Sequence, residues 1–243
     1  MSDKFRIKKE QVVPLLETKF IKVYDLQYAP GKHYYDATRR DLQDLTAIKT
    51  DREVKAMLPD AVSCVVVIKE KNQPEKILFS MEFRYPAGQY LLSVPRGLID
   101  KEDMGKDDAI IKTAVRELQE ETGLKVNPND TVKIINPFLY STPGMTDESN
   151  ALVYIKLNVD NLSNLTQAGA RGSEKFDGFV LLTKEQAKEI LKTGRDPYGN
   201  FYSVYTQAAL MYFVAGPETK SQGLFHQIQE EVTFCGLLHE AYA

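Results

Sequence analysis

Gly97-Leu-Ile-Asp100, a charged stretch, and then Arg116-Glu-Leu-Gln-Glu-Glu-Thr-Gly-Leu124 is the passage on which the fold of this chain turns. The spacing predicts a helix from about Asp107 to Thr122, ended by Gly123, which suits a left-handed cap position. At about 100° per residue, Ile111, Ala114, Val115 and Leu118 fall on one apolar stripe fit to pack on a sheet. Glu117, Glu120 and Glu121 fall together on another face, within an arc of roughly 100°. Three carboxylates in one turn repel one another, and a like-charged i,i+4 pair costs about 0.2–0.5 kcal/mol. A solvated acidic face tolerates that repulsion, whereas a divalent cation removes it. Mg²⁺ prefers oxygen donors and binds through one or two carboxylates plus water and substrate phosphate.

Outward from the helix, residues 90–94 form a short expected strand that ends at Pro95-Arg96-Gly97. Residues 61–68 are a run of buried-strand type, and a second strand is expected over about 76–84, after the turn Lys71-Asn-Gln-Pro-Glu75. Residues 12–28 are rich in Val, Phe, Ile and Tyr and lead into Pro30-Gly31, a strand and a turn. Downstream, strands are expected at 131–140, 150–158 and 178–183, with helices at 184–192 and 201–215 and a helical tail at about 222–239. Strands and helices interleave, so the fold class is α/β or α+β. The expected division is a small β-rich lobe at 1–57, a main domain at 58–216 and a helical C-terminal tail at 217–243.

The 243 residues are 43 % hydrophobic and 27 % charged, with a formal net charge of −3. That balance fits a globular protein and lacks the clustered basic excess of a nucleic-acid or anionic-membrane binder. No apolar run approaches the roughly 20 residues a membrane helix needs, and the charged N-terminus has no leader-like stretch behind it, so a cytoplasmic location is expected. Cys64 lies in the apolar run 61–68 and reads as a buried thiol, far from Cys235. His33, His226 and His239 are scattered and form no catalytic or zinc pattern.

The pattern Arg-Glu-apolar-any-Glu-Glu-any-Gly-apolar is the second half of the Nudix box, and Arg116 to Leu124 match it at every specified position. Over about residues 12–215 the chain resembles the Nudix hydrolase family. The family box opens with Gly, five residues, Glu and seven residues before its Arg; here 18 residues separate Gly97 from Arg116 where the family has 13. Counting back from Arg116 puts Asp108 at the family's first Glu, and counting forward from Gly97 lands near Glu102. Phe83-Arg84 and the stretch Tyr90 to Asp100 are similar to the strand pair of ADP-ribose and nucleotide-sugar pyrophosphatases. Ser93 stands where that branch often has Glu, and Arg96 where it has Ala. Ser141-Thr-Pro-Gly-Met-Thr-Asp-Glu148 is similar to that branch's Ser-Pro-Gly segment.

The resemblance implies an α/β/α sandwich with a mixed sheet, preceded by a small N-terminal β lobe that builds a homodimer. It implies Mg²⁺-dependent hydrolysis, with Mn²⁺ as a substitute, of a small-molecule nucleotide substrate: ADP-ribose, cut to AMP and ribose 5-phosphate. One alternative is the same chemistry on a UDP-sugar, GDP-mannose or a dinucleotide. Another is a non-catalytic ADP-ribose-sensing protein, against which the complete set Arg116, Glu117, Glu120 and Glu121 argues. By the same resemblance Glu117 and Glu121 are the prime metal ligands and Glu120 a third ligand or a base. The main-chain carbonyl of Arg96 adds a ligand, and Arg116 holds the glutamates by ion pairing. Gly97 lets the backbone come close to the metal site. Glu174, in Gly169-Ala-Arg-Gly-Ser-Glu-Lys175, is the candidate general base on a mobile loop, or else an exposed loop charge. Arg84 grips the diphosphate with its guanidinium fork or forms an ion pair at a strand end. Glu148 lines the site or caps a turn.

Overall fold

The computed structural model describes residues 6–100, 102–103 and 105–216. The tail helix expected at 222–239 lies outside the described residues.

Val12–Glu17 (β1), Lys22–Ala29 (β2) and Lys32–Thr38 (β3) form a three-stranded antiparallel sheet in the order β1-β2-β3. Proline cannot donate to a ladder, and Pro14 sits where the β1–β2 register shifts, on an edge strand that tolerates it. Gly31, at φ +66°, turns β2 into β3. The sequence predicts one strand here, and β3 escapes it because Lys32–Thr38 is mostly polar and exposed. A short helix, Asp51–Lys55 (α1), then leads into the main sheet.

The main sheet contains Ala61–Glu70 (β4), Lys76–Arg84 (β5), Gln89–Ser93 (β6), Arg96–Leu98 (β7), Thr131–Tyr140 (β8), Ser149–Val159 (β9) and Phe176–Leu182 (β10). Its order is β10-β5-β4-β9-β8, with β6 beside β5 and β7 beside β4. Only β4 and β9 run parallel, in register from Ala61 opposite Asn150 to Glu70 opposite Val159; the sheet is mixed. A parallel pair needs a crossover, and this one contains the helix Ala109–Thr122 (α2). The central strands are buried on both faces. Val62, Cys64, Val66 and Ile68 of β4 pack with Ile110, Ala114 and Leu118 of α2. Val65 and Val67 face the other way, into a core closed by Lys184–Thr193 (α3) and Val204–Ala215 (α4), which supply Ala187, Ile190, Leu210 and Phe213. The fold is therefore the expected three-layer α/β/α sandwich preceded by a small β sheet. Cys64 is buried and free, as expected.

The helix α2 is turned differently from the predicted stripe. Its buried residues are Ala109, Ile110, Thr113, Ala114, Glu117, Leu118, Glu121 and Thr122, while Ile111 and Val115 are half-buried. Two of the three glutamates thus lie on the sheet-facing side, because a cavity receives them there. Gly123, at φ +72°, caps the helix with its N–H donating to the Gln119 carbonyl.

The small sheet is joined to the main one through the segment 141–149. Tyr34 donates to the Gly144 carbonyl at 2.7 Å, and Thr38 Oγ1 donates to Asp147 at 2.6 Å. Arg40 pairs with Asp60 at 2.7 Å and Asp147 at 3.4 Å. Burial and the neighbouring Asp147 push the Asp36 carboxyl up to about 6. Among the described residues, no helix is long and apolar enough to cross a membrane.

Candidate active site

The start of β4, the end of β5, strand β7, the C-terminal half of α2 and the loops before β9 and β10 enclose a cavity of about 460 Å³. That volume lies within the range of small-molecule sites. The cavity brings together Arg84, Arg96, Gly97, Arg116, Glu117, Glu120, Glu121, Glu148 and Glu174. These nine are residues that the sequence singles out for the site; the two candidates for the first acidic residue of the box, Asp108 and Glu102, are not among the lining. Asp108 instead pairs with Lys112 at 3.0 Å.

Strand β7 and helix α2 touch where Gly97 meets Glu117. A Cβ on Gly97 would sit 2.0 Å from the Glu117 carboxylate carbon, so only glycine admits the carboxylate there. Arg116 reaches across the helix surface with its whole fork. Its Nη1 lies 2.7 Å from Glu117 Oε1 and 3.3 Å from Glu120 Oε2, its Nε lies 3.3 Å from Asp100, and its Nη2 donates to the Leu98 carbonyl at 2.9 Å. The expected ion pairing of Arg116 with the glutamates is what the geometry places there. Glu120 has a second cation, Arg171, at 2.8 Å. The Arg171 loop lies directly on the helix: a Cβ on Gly169 would come within 2.1 Å of the Glu120 carbonyl oxygen.

Glu121 lies deeper, 4 % exposed, and accepts a hydrogen bond from the Arg96 backbone N–H at 3.3 Å. Burial, then the charges of Glu82 and Glu117, push its carboxyl well above the ordinary range. Burial also raises Glu117, against the pull of Arg116. Glu174 closes a tight turn, its carboxylate accepting the Arg171 N–H at 2.7 Å, yet it faces the cavity. Glu148 lines the cavity and lies 3.5 Å from Arg39 Nε, while its N–H donates to Thr146 Oγ1 at 3.0 Å.

The sequence did not single out Glu82, Asp100, Arg39 or Arg171 as site residues. Glu82 is buried, pairs with Arg84 and lies next to Ser93. It is two positions before Arg84 on the same face of β5, and that alternation was the available signal. Arg171 had only its glycine-rich loop to mark it. Asp100 stands in the quoted passage, but its pairing with Arg116 spans the insertion.

The donor set suits a hard divalent cation. Among the described residues no three acidic, histidine or cysteine side chains converge as a ready cage. Mg²⁺ needs no such cage, since one or two carboxylates, water and substrate phosphate complete its octahedron. Glu117 and Glu121 are two buried carboxylates one helical turn apart, and Glu121, which accepts the Arg96 N–H, makes no ion pair among the described residues. Burial holds both toward their protonated forms, a penalty that a bound cation reverses.

A fold of this layering with these glutamates on its crossover helix defines a family, and the NUDIX domain matches residues 57–203. The chain belongs to the Nudix family. It is 30 % identical over 151 residues to an ADP-sugar pyrophosphatase of Mus musculus, covering 62 % of this chain and 64 % of that one. It is 27 % identical over 132 residues to an uncharacterized Nudix hydrolase of Schizosaccharomyces pombe, covering 54 % of this chain and 60 % of that one. The matched segment thus spans less than two thirds of either relative. The crystal structure of an ADP compounds hydrolase superposes with a TM-score of 0.52 at 19 % identity, covering 87 % of this chain and 93 % of that one. This last likeness is one of fold.

Proposed function

We propose that the chain is a Mg²⁺-dependent pyrophosphohydrolase that cleaves ADP-ribose to AMP and ribose 5-phosphate. The observation that carries this reading is the meeting, in one cavity, of two buried helix carboxylates and Arg84. Buried carboxylates serve a cation and a guanidinium serves phosphates, so a diphosphate bound in this cavity satisfies both. The similarity to the mouse ADP-sugar pyrophosphatase supports an ADP-sugar as the substrate.

Glu117 and Glu121, with the Arg96 carbonyl, would hold the cation. When bound, it neutralises diphosphate charge and acidifies water. Arg116 fixes the rotamers of Glu117 and Glu120, and Arg171 anchors Glu120 from the loop side. Glu174, or Glu120 in its place, takes the proton of the attacking water. The new bond joins water oxygen to phosphorus, and the bridging oxygen leaves with the other phosphate. Arg84, braced by Glu82, orients the diphosphate, and Glu148 borders the same space.

The chain also forms a two-fold homodimer in this reading. Leu15 and Leu16 of β1 and Phe20 and Ile21 of the connection to β2 are all exposed, with Phe20 at 71 %. A second copy covers such an apolar strip with the same strip. Turnover on a panel of ADP-ribose, UDP-sugars, GDP-mannose and dinucleotides tests the substrate. ADP-ribose should lead, and a UDP-sugar or GDP-mannose far ahead would keep the chemistry and overturn the substrate.

A further inference from the structure

The cavity holds five arginines, and four have a carboxylate partner. Arg39 meets Glu148, Arg84 meets Glu82, Arg116 meets Glu117, and Arg171 meets Glu120. The Arg96 guanidinium makes no ion pair among the described residues, although its charge helps to pull Glu82 down; its backbone N–H donates to Glu121. It stands near Arg84, and the like charge adds to burial in holding Arg84 below its ordinary range. Two arginines that line one cavity, one of them without an ion pair among the described residues, suit a dianionic ligand. The cation resides on the side chain, whereas the metal-site expectation for this position concerned its carbonyl alone.

We propose that the Arg96 side chain grips the substrate diphosphate together with Arg84, one guanidinium to each phosphate. The proposal rests on the cavity being a nucleoside-diphosphate site and assigns Arg96 a positioning role in it. Glu82 pairs with Arg84 and also feels the Arg96 charge, so two guanidiniums share that one carboxylate. The grip distinguishes a diphosphate from a monophosphate, because a single phosphate spans only one of the two forks.

The test is calorimetric titration of ADP, AMP and adenosine into the full chain with chelator present, beside steady-state kinetics on ADP-ribose with Mg²⁺. Arg96→Ala and Arg96→Gln keep the backbone amide and carbonyl and remove only the charge; Arg96→Lys keeps the charge without the fork. The charge-removing variants should weaken ADP at least 10-fold and adenosine less than 2-fold. Arg96→Lys should fall between them and the wild type, and the KM for ADP-ribose should rise more than kcat falls. Unchanged ADP affinity in Arg96→Gln, or no ADP binding by the wild-type chain, overturns the proposal. Weakened ADP binding in a chain that turns nothing over keeps the grip and removes the hydrolase reading. Normal turnover with unchanged KM in Arg96→Ala does the reverse.

Discussion

Gly97 and Glu117 illustrate how a single missing methyl fixes a site. The clash that a Cβ at position 97 would create is with the far end of a flexible side chain, so the fold can absorb it by swinging Glu117 aside. Gly97→Ala should therefore shift the melting temperature by only a few degrees while turnover falls about 100-fold or more. Glu121→Gln keeps the shape, removes a buried repulsive charge and should also cut turnover by orders of magnitude without loss of stability. Near-wild-type turnover in either variant, measured beside its melting curve, would contradict the ligand assignment. Residues whose chemistry depends on helical spacing were legible, since Arg116, Glu117, Glu120 and Glu121 lie within two turns. Glu82 and Arg171 were not, because only the pairing of β5 with its neighbours and the folding back of a loop bring them to that helix.

The decisive contact between elements is that of α2 with the loop before β10. Gly169 lies against the Glu120 carbonyl, a backbone atom that cannot move aside. Gly169→Ala should lift the loop from the helix, parting Arg171 from Glu120 and drawing Glu174 out of the cavity. The expected result is a kcat reduced at least 10-fold with a stability loss of about 1–3 kcal/mol, read from kinetics and denaturant unfolding. Unchanged kcat would show that the loop contributes nothing to the reaction. The long strands β4, β5, β8 and β9 and the helices α2, α3 and α4 were legible from their apolar runs and periods. Strand β7 was not, since three residues between Pro95 and a charged loop have no period to read. The turn of α2 by about one residue was also hidden. Periodicity finds an apolar face, but a cavity that accepts carboxylates makes part of that face acidic.

The described residues form two sheets joined through Arg40, Asp60, Asp147 and the 141–149 segment, with the cavity beside that joint. Composition showed neither the joint nor the apolar strip of the small sheet, which come from pairings far apart in sequence. If a second copy covers that strip, light scattering should report two chains per particle, and Phe20→Glu with Leu16→Glu should give one. A monomeric wild-type chain would contradict the dimer. The central claim concerns the cavity, and one measurement reaches it most directly: product analysis of ADP-ribose incubated with the wild-type chain, first with Mg²⁺ and then with excess chelator. AMP and ribose 5-phosphate formed with Mg²⁺ and absent with chelator is the predicted result. ADP-ribose that remains intact with Mg²⁺, or is cleaved equally well with chelator, would contradict the account.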